Sequence, residues 1–192
     1  MKPAIKILSI LVLFAFFTSA CKHITDNQNR YEILKEVLNA YQENNIFLDS
    51  TATDLDFQVP IDIKYLDDLF YGKKFNTDID SIVTTSDIKY WNEAIDHFKP
   101  GKIHLSNYDD IPFYSVEKQK IFNTQDEITD FDYFLKVSEP FMNKLSDKAL
   151  IYVESYAGPN SAMANTYLMI LEKQQHKTWK VVYKGALRVT SI

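Results

Sequence analysis

Apolar side chains along the chain change their period once, and that change predicts the architecture. Tyr31, Leu34, Val37, Leu38 and Tyr41 recur at i, i+3, i+6, i+7 and i+10, the stripe of an amphipathic helix. Asn29 with Glu32 three positions on forms a capping box, so the first helix is expected over about Arg30 to Glu43, ending at Asn44-Asn45. Short extended segments are expected at Ile46 to Leu48 and Leu55 to Val59. A second helix is expected over Pro60 to Tyr71, where Ile63, Leu66, Leu69 and Phe70 share a face and Gly72 lies just past the end. Ile79, Ile82 and Val83 read as a strand. Thr85 or Ser86 then caps a third helix, with Ile88, Trp91, Ile95 and Phe98 on one face and Lys99-Pro100-Gly101 as its stop. Between Lys102 and Asp132 no period persists; Ile103 to Leu105 and Phe113 to Val116 suit edge strands, since Pro112 bars a central position.

In the last sixty residues period two takes over. Tyr133 to Val137, Ala149 to Tyr156, Thr166 to Lys173, Trp179 to Tyr183 and Leu187 to Thr190 are β-rich runs separated by Ser138-Glu139-Pro140, Gly158-Pro159-Asn160 and Gln174 to Lys177. Tyr167, Met169 and Leu171, then Trp179, Val181 and Tyr183, alternate with their neighbours as an antiparallel hairpin requires. The expected class is α+β: about three N-terminal helices followed by a C-terminal antiparallel meander of four to five strands. No internal repeat or second linker interrupts the chain after Asn29, so 29–192 is expected to form a single globular domain.

The first twenty residues follow another logic. Lys2 and Lys6 precede the eleven-residue apolar run Ile7 to Phe17, interrupted only by Ser9. As a helix this run covers roughly 16 Å, about half the hydrocarbon core of a bilayer. Thr18-Ser19-Ala20 then lead into Cys21, the only cysteine in 192 residues. Small residues after a short apolar run mark secretory cleavage. The segment resembles a bacterial lipoprotein signal, with Thr18-Ser19-Ala20-Cys21 where the lipobox stands and Thr18 where an aliphatic residue is usual. The resemblance implies cleavage after residue 20, a diacylglycerol thioether on Cys21 and an acylated α-amine. Membrane lipid is thereby the expected partner of Cys21. Residues 21–28, the lipidated Cys and the polar stretch that follows it, read as a tether, and Lys22 after the cysteine resembles lipoproteins sent to the outer rather than the inner membrane.

Composition narrows the rest. A hydrophobic share of 46%, with 13 Phe, 12 Tyr and 2 Trp, excludes disorder. The net charge is −5, with 19 Lys against 2 Arg, which argues against nucleic acid as a partner. Four glycines and no GxSxG, P-loop or dinucleotide fingerprint leave no phosphate-cradling loop. Within the mature region Val137-Ser138-Glu139-Pro140-Phe141, Lys148 to Val153, Leu171-Glu172-Lys173 and Trp179 to Val182 resemble a recurrent ending of small lipoproteins from Bacteroidota, and Ser86 to Tyr90 is similar to their mid-chain helix start. That resemblance implies a fold and an origin and no catalytic residue.

Ser86 to Lys89 and Ser115 to Lys118 have the Ser-x-x-Lys spacing of penicillin-recognising enzymes, but 12 Ser and 19 Lys yield about one such pair by chance, and neither Ser-Asp-Asn nor Lys-Thr-Gly accompanies them. His23, His97, His104 and His176 show no metal-ligand spacing. A calcium loop begun at Asp78 lacks the central glycine and places Lys89 where the bidentate Glu belongs; Asp109-Asp110 is an ordinary acidic pair. No cofactor or metal is expected. Tyr152, Tyr156 and Tyr167 are the candidate ligand-binding residues, as an aromatic platform on one sheet region. The expected function is that of a cell-envelope lipoprotein acting as a non-enzymatic binding or interaction module for a protein or small molecule. A carbohydrate- or small-ligand-binding lipoprotein is the alternative, and a lipid-anchored hydrolase a third.

Overall fold

The computed structural model describes residues 28–41, 46–49, 61–69, 78–99, 113–114, 133–157, 163–175 and 178–191. Helix α1 covers 28–39. Strand β1 (Ile46–Asp49) precedes α2 (Ile63–Asp68), α3 (Ile79–Ile82) and α4 (Thr85–Asp96); then come β2 (Phe113–Tyr114), β3 (Tyr133–Val137), β4 (Phe141–Met142), β5 (Lys148–Ala157), β6 (Met163–Lys173) and β7 (Trp179–Ser191). The seven strands make one sheet in the order β2-β1-β3-β5-β6-β7, with β4 also paired to β5. The protein is α+β: helices come first, and β3 to β7 form a C-terminal antiparallel meander.

Strand alternation supplies two cores, one on each side of the sheet. Ala149, Ile151 and Val153 of β5, with Leu135, Val137, Met169, Leu171 and Trp179, pack against Ile33, Leu34 and Val37 of α1. Leu150 and Tyr152 of the same strand, with Leu168, Ile170 and Tyr183, pack against Leu66, Ile79, Ile82, Ile88 and Trp91 from α2, α3 and α4. A sheet buried on both faces explains why the central strand reads Ala-Leu-Ile-Tyr-Val without polar interruption.

β3 and β4 pair in turn with the same side of β5, the ladder being broken at Ser138-Glu139-Pro140. Pro140 cannot donate to a ladder. Ser138 compensates by bonding Tyr152 twice: its N–H donates to the Tyr152 carbonyl at 2.9 Å, and its Oγ accepts the Tyr152 N–H at 3.0 Å. The hydroxyl proton goes to the Glu139 carbonyl at 2.9 Å. Ser138 is fully buried, and both its N–H and its hydroxyl are partnered, as burial of polar groups requires.

The structure departs from the expected elements at several places. Ile79–Ile82 is a helical turn, because the Asp78 carboxylate accepts the Asp80 N–H and the Ser81 hydroxyl donates to the Asp78 carbonyl. The cap of α4 is Thr84, not Thr85 or Ser86, in a reciprocal box with Asp87. Asn29 lies inside α1, and its side chain is turned to another use: Oδ1 accepts from Lys173 Nζ at 2.9 Å. The second helix is only Ile63–Asp68, capped by Asp62 and ended by extended Leu69. β7 runs unbroken through Lys184-Gly185-Ala186, with register shifts where two strands were expected. Gly185 is what permits α2 to lie close: a Cβ there would sit 2.8 Å from Leu69 Cδ1 and against the Tyr183 hydroxyl. Ile46 to Leu48 is a strand as expected, parallel to both neighbours, and Phe113–Tyr114 takes the sheet edge. The segments Leu55 to Val59 and Ile103 to Leu105, and residues 1–27, lie outside the described residues.

Candidate functional site

The densest polar arrangement joins the first turn of α4 to the β4–β5 turn. Thr84 caps α4, which brings Asp87 back over the helix start; Asp87 Oδ2 accepts from Thr84 N at 3.0 Å and Thr84 Oγ1 at 2.9 Å. The same carboxylate reaches the sheet, where Oδ1 accepts Asn143 Nδ2 at 2.8 Å and Oδ2 accepts Lys148 Nζ at 3.3 Å. Asp87 is only 8% exposed. Burial pushes its carboxyl up, but the hydrogen bonds from Asn143 and Thr84, together with the Lys148 ammonium, more than reverse this and hold it below the usual carboxylate range. A carboxylate with four donors and a lowered pKa is a poor proton acceptor. Its chemistry is that of a clamp.

Asn143 is equally committed. Its Oδ1 accepts the backbone N–H groups of Asp147 and Lys148, both at 3.1 Å, and its Nδ2 donates a second bond to Asp147 Oδ1 at 2.7 Å. Its own N–H donates to the Lys148 carbonyl at 2.9 Å. All four hydrogen-bonding positions of the carboxamide are filled. The turn from Asn143 to Lys148 is therefore held from inside, with Ser146 in the left-handed region at φ 56°. Leu145 stands at its tip with 77% of its surface exposed.

The tyrosines named from sequence do not share a face. Tyr152 and Tyr156 lie on the side of the sheet covered by α2 to α4, whereas Tyr167, which pairs with Val153, lies on the α1 side. Tyr152 is buried edge-on to Phe141, and Tyr156 is buried against Phe134 with its hydroxyl donating to the Glu154 carboxylate. Burial raises the phenol pKa of both. Tyr167 is half-buried and, with Tyr41, flanks the Lys184 ammonium, which sits 4.3 Å and 4.2 Å from their ring centres.

The remaining named residues are scattered. Ser86 and Lys89 are exposed on α4, Lys89 lying 4.0 Å from Glu93. Asp78 caps α3, and exposed His97 ends α4. Cys21, His23, His104, His176, Asp109, Asp110, Ser115 and Lys118 lie outside the described residues. Among the described residues no three His, Cys, Asp or Glu side chains gather as a metal site would require, and no helix is long and apolar enough to cross a membrane. The clamp escaped the sequence reading. Thr84-x-x-Asp87 is a capping-box signature, but nothing local to Asn143 points to α4. The chain matches no family model, no curated protein and no solved structure.

Proposed function

We propose that the protein is a cell-envelope lipoprotein, held in the outer membrane through acylated Cys21, whose α+β body is a non-enzymatic binding or interaction module. The observation that carries this reading is the position of the only thiol, immediately after Thr18-Ser19-Ala20 and an eleven-residue apolar run. Each buried CH₂ contributes ~0.8 kcal/mol, so two or three acyl chains hold the protein without any help from the folded body. The module reading draws support from the character of the polar junction, whose carboxylate and carboxamide are spent on each other and on backbone groups. Recognition then falls to exposed side chains on a rigid frame.

The test is metabolic palmitate labelling with membrane fractionation, comparing the native chain with Cys21→Ser. The native chain is expected to carry label and to sediment with outer membrane, and the variant to lose both. Label retained by Cys21→Ser would overturn the anchor.

A further inference from the structure

Three contacts place the start of α1 and the β4–β5 turn at one end of the sheet. Asn29 Oδ1 accepts from Lys173 Nζ at 2.9 Å, and the Lys173 N–H donates to the Asp147 carbonyl, within the turn, at 2.8 Å. Arg30 Nη2 lies 3.1 Å from Glu139 Oε2, just ahead of β4. The chain therefore emerges from the body beside the loop whose tip is Leu145. Seven residues, 22–28, separate Cys21 from the rest of α1, and they reach at most ~25 Å when fully extended.

Among the described residues the exposed large hydrophobics are Leu145 at 77% and Tyr90 at 44%. Both belong to the elements joined by the Asp87–Asn143 clamp: Leu145 two residues beyond Asn143, Tyr90 three residues beyond Asp87 and so on the same side of α4. Lys144, beside Leu145, is exposed, and Lys89 is exposed next to Tyr90. Of the acidic groups nearby, Glu139 pairs with Arg30, Asp87 with half-buried Lys148 and Glu93 with Lys89, while Asp147 accepts from the Asn143 amide; Lys144 is thus the cation beside the tip offered to lipid. An apolar tip with a lysine whose stem can lie along lipid and whose ammonium can meet phosphate is suited to a bilayer interface, and tyrosine is a usual interfacial residue.

We propose that the Asn143–Lys148 turn is a second membrane contact. With Cys21 in the bilayer, Leu145 enters the headgroup region, Lys144 meets lipid phosphate, and this end of the sheet faces the membrane. The proposal rests on the lipid anchor above, which holds the turn near the surface at high effective concentration, so that a weak contact is enough to orient the body. The clamp gives the turn a fixed shape and removes most of the ordering cost that a loose loop would bear.

The acylated full chain offers a direct test, because a cysteine introduced by Leu145→Cys is the only free thiol. The variant is labelled with a polarity-sensitive fluorophore and reconstituted into phosphatidylethanolamine–phosphatidylglycerol vesicles, with Asn39→Cys as comparison. Asn39 is exposed and lies ten residues further along α1 than Asn29, about 15 Å at the helical rise. Circular dichroism matching the native chain qualifies both variants. The expected result is a blue shift at Leu145→Cys, with loss of emission to nitroxide-bearing lipids, and neither effect at Asn39→Cys. Equal, water-like emission from both probes on protein that floats with the vesicles would overturn the contact and leave the anchor standing. Protein left behind by floating vesicles would overturn both. A shift at Leu145 that needs added envelope protein, and does not arise with lipid alone, would overturn the contact in favour of a protein-docking turn.

Discussion

The Asp87 carboxylate and the Asn143 carboxamide meet at 2.8 Å across 56 residues of chain, joining the start of a helix to a turn of the sheet it covers. Each also organises its own element: Asp87 completes the cap of α4, and Asn143 closes the β4–β5 turn. This bond, together with that from Lys148 to the same carboxylate, couples the two local structures.

That coupling is measurable. Asp87→Ala leaves one N–H of the Asn143 amide and the Lys148 ammonium without this acceptor and removes one half of the capping box, and about 2–3 kcal/mol of stability is expected to go. Asn143→Ala exposes the turn's backbone donors to a similar loss. Urea unfolding of both single variants and the double variant should give a double loss smaller than the sum of the singles by about 1 kcal/mol, because the two share an interaction.

Acid should find the same clamp. The Asp87 carboxyl titrates below its ordinary range in the folded protein, so the folded state binds its proton less readily than the unfolded chain does. Its contribution is fully present above the usual aspartate pKa and is lost as pH falls through the lowered folded value. In Asp87→Asn that share of the acid sensitivity should disappear. Thermal unfolding scans from pH 6 to pH 2 would then show a shallower fall in midpoint for the variant than for the native chain.

The seat of α2 on β7 makes a third prediction. The Tyr183 hydroxyl donates to the Leu66 carbonyl, and Gly185 leaves room for Leu69. Gly185→Ala must displace Leu69 or the tyrosine, a strain of about 1–3 kcal/mol. Tyr183→Phe removes one donor while keeping the ring and should cost about 1 kcal/mol. Chemical denaturation checks both. The larger loss is expected from the added methyl group.

The sequence by itself determined the class of the fold. Period two in the last sixty residues marked β3, β5, β6 and the first part of β7, and the spacing of Ile88, Trp91, Ile95 and Phe98 marked the buried face of α4. These features are legible because alternation and helical spacing act between residues two to four apart. The same locality explains the errors. Gly185 reads as a break when only the chain on either side is considered, yet it lies inside β7, chosen for the approach of Leu69 from another element. Asn29 reads as a cap and instead receives Lys173, 144 residues away.

Only the tertiary structure decided that β1 lies parallel between β2 and β3, that Tyr167 is on the opposite face from Tyr152 and Tyr156, and that Asn143 belongs to Asp87. Strand partners and faces follow from burying two separate cores at once, a condition on the whole sheet. No short window of sequence contains it. The proposal for residues 1–20 and Cys21 stands at the other extreme: it rests wholly on local sequence, because a secretory signal is read as a linear segment.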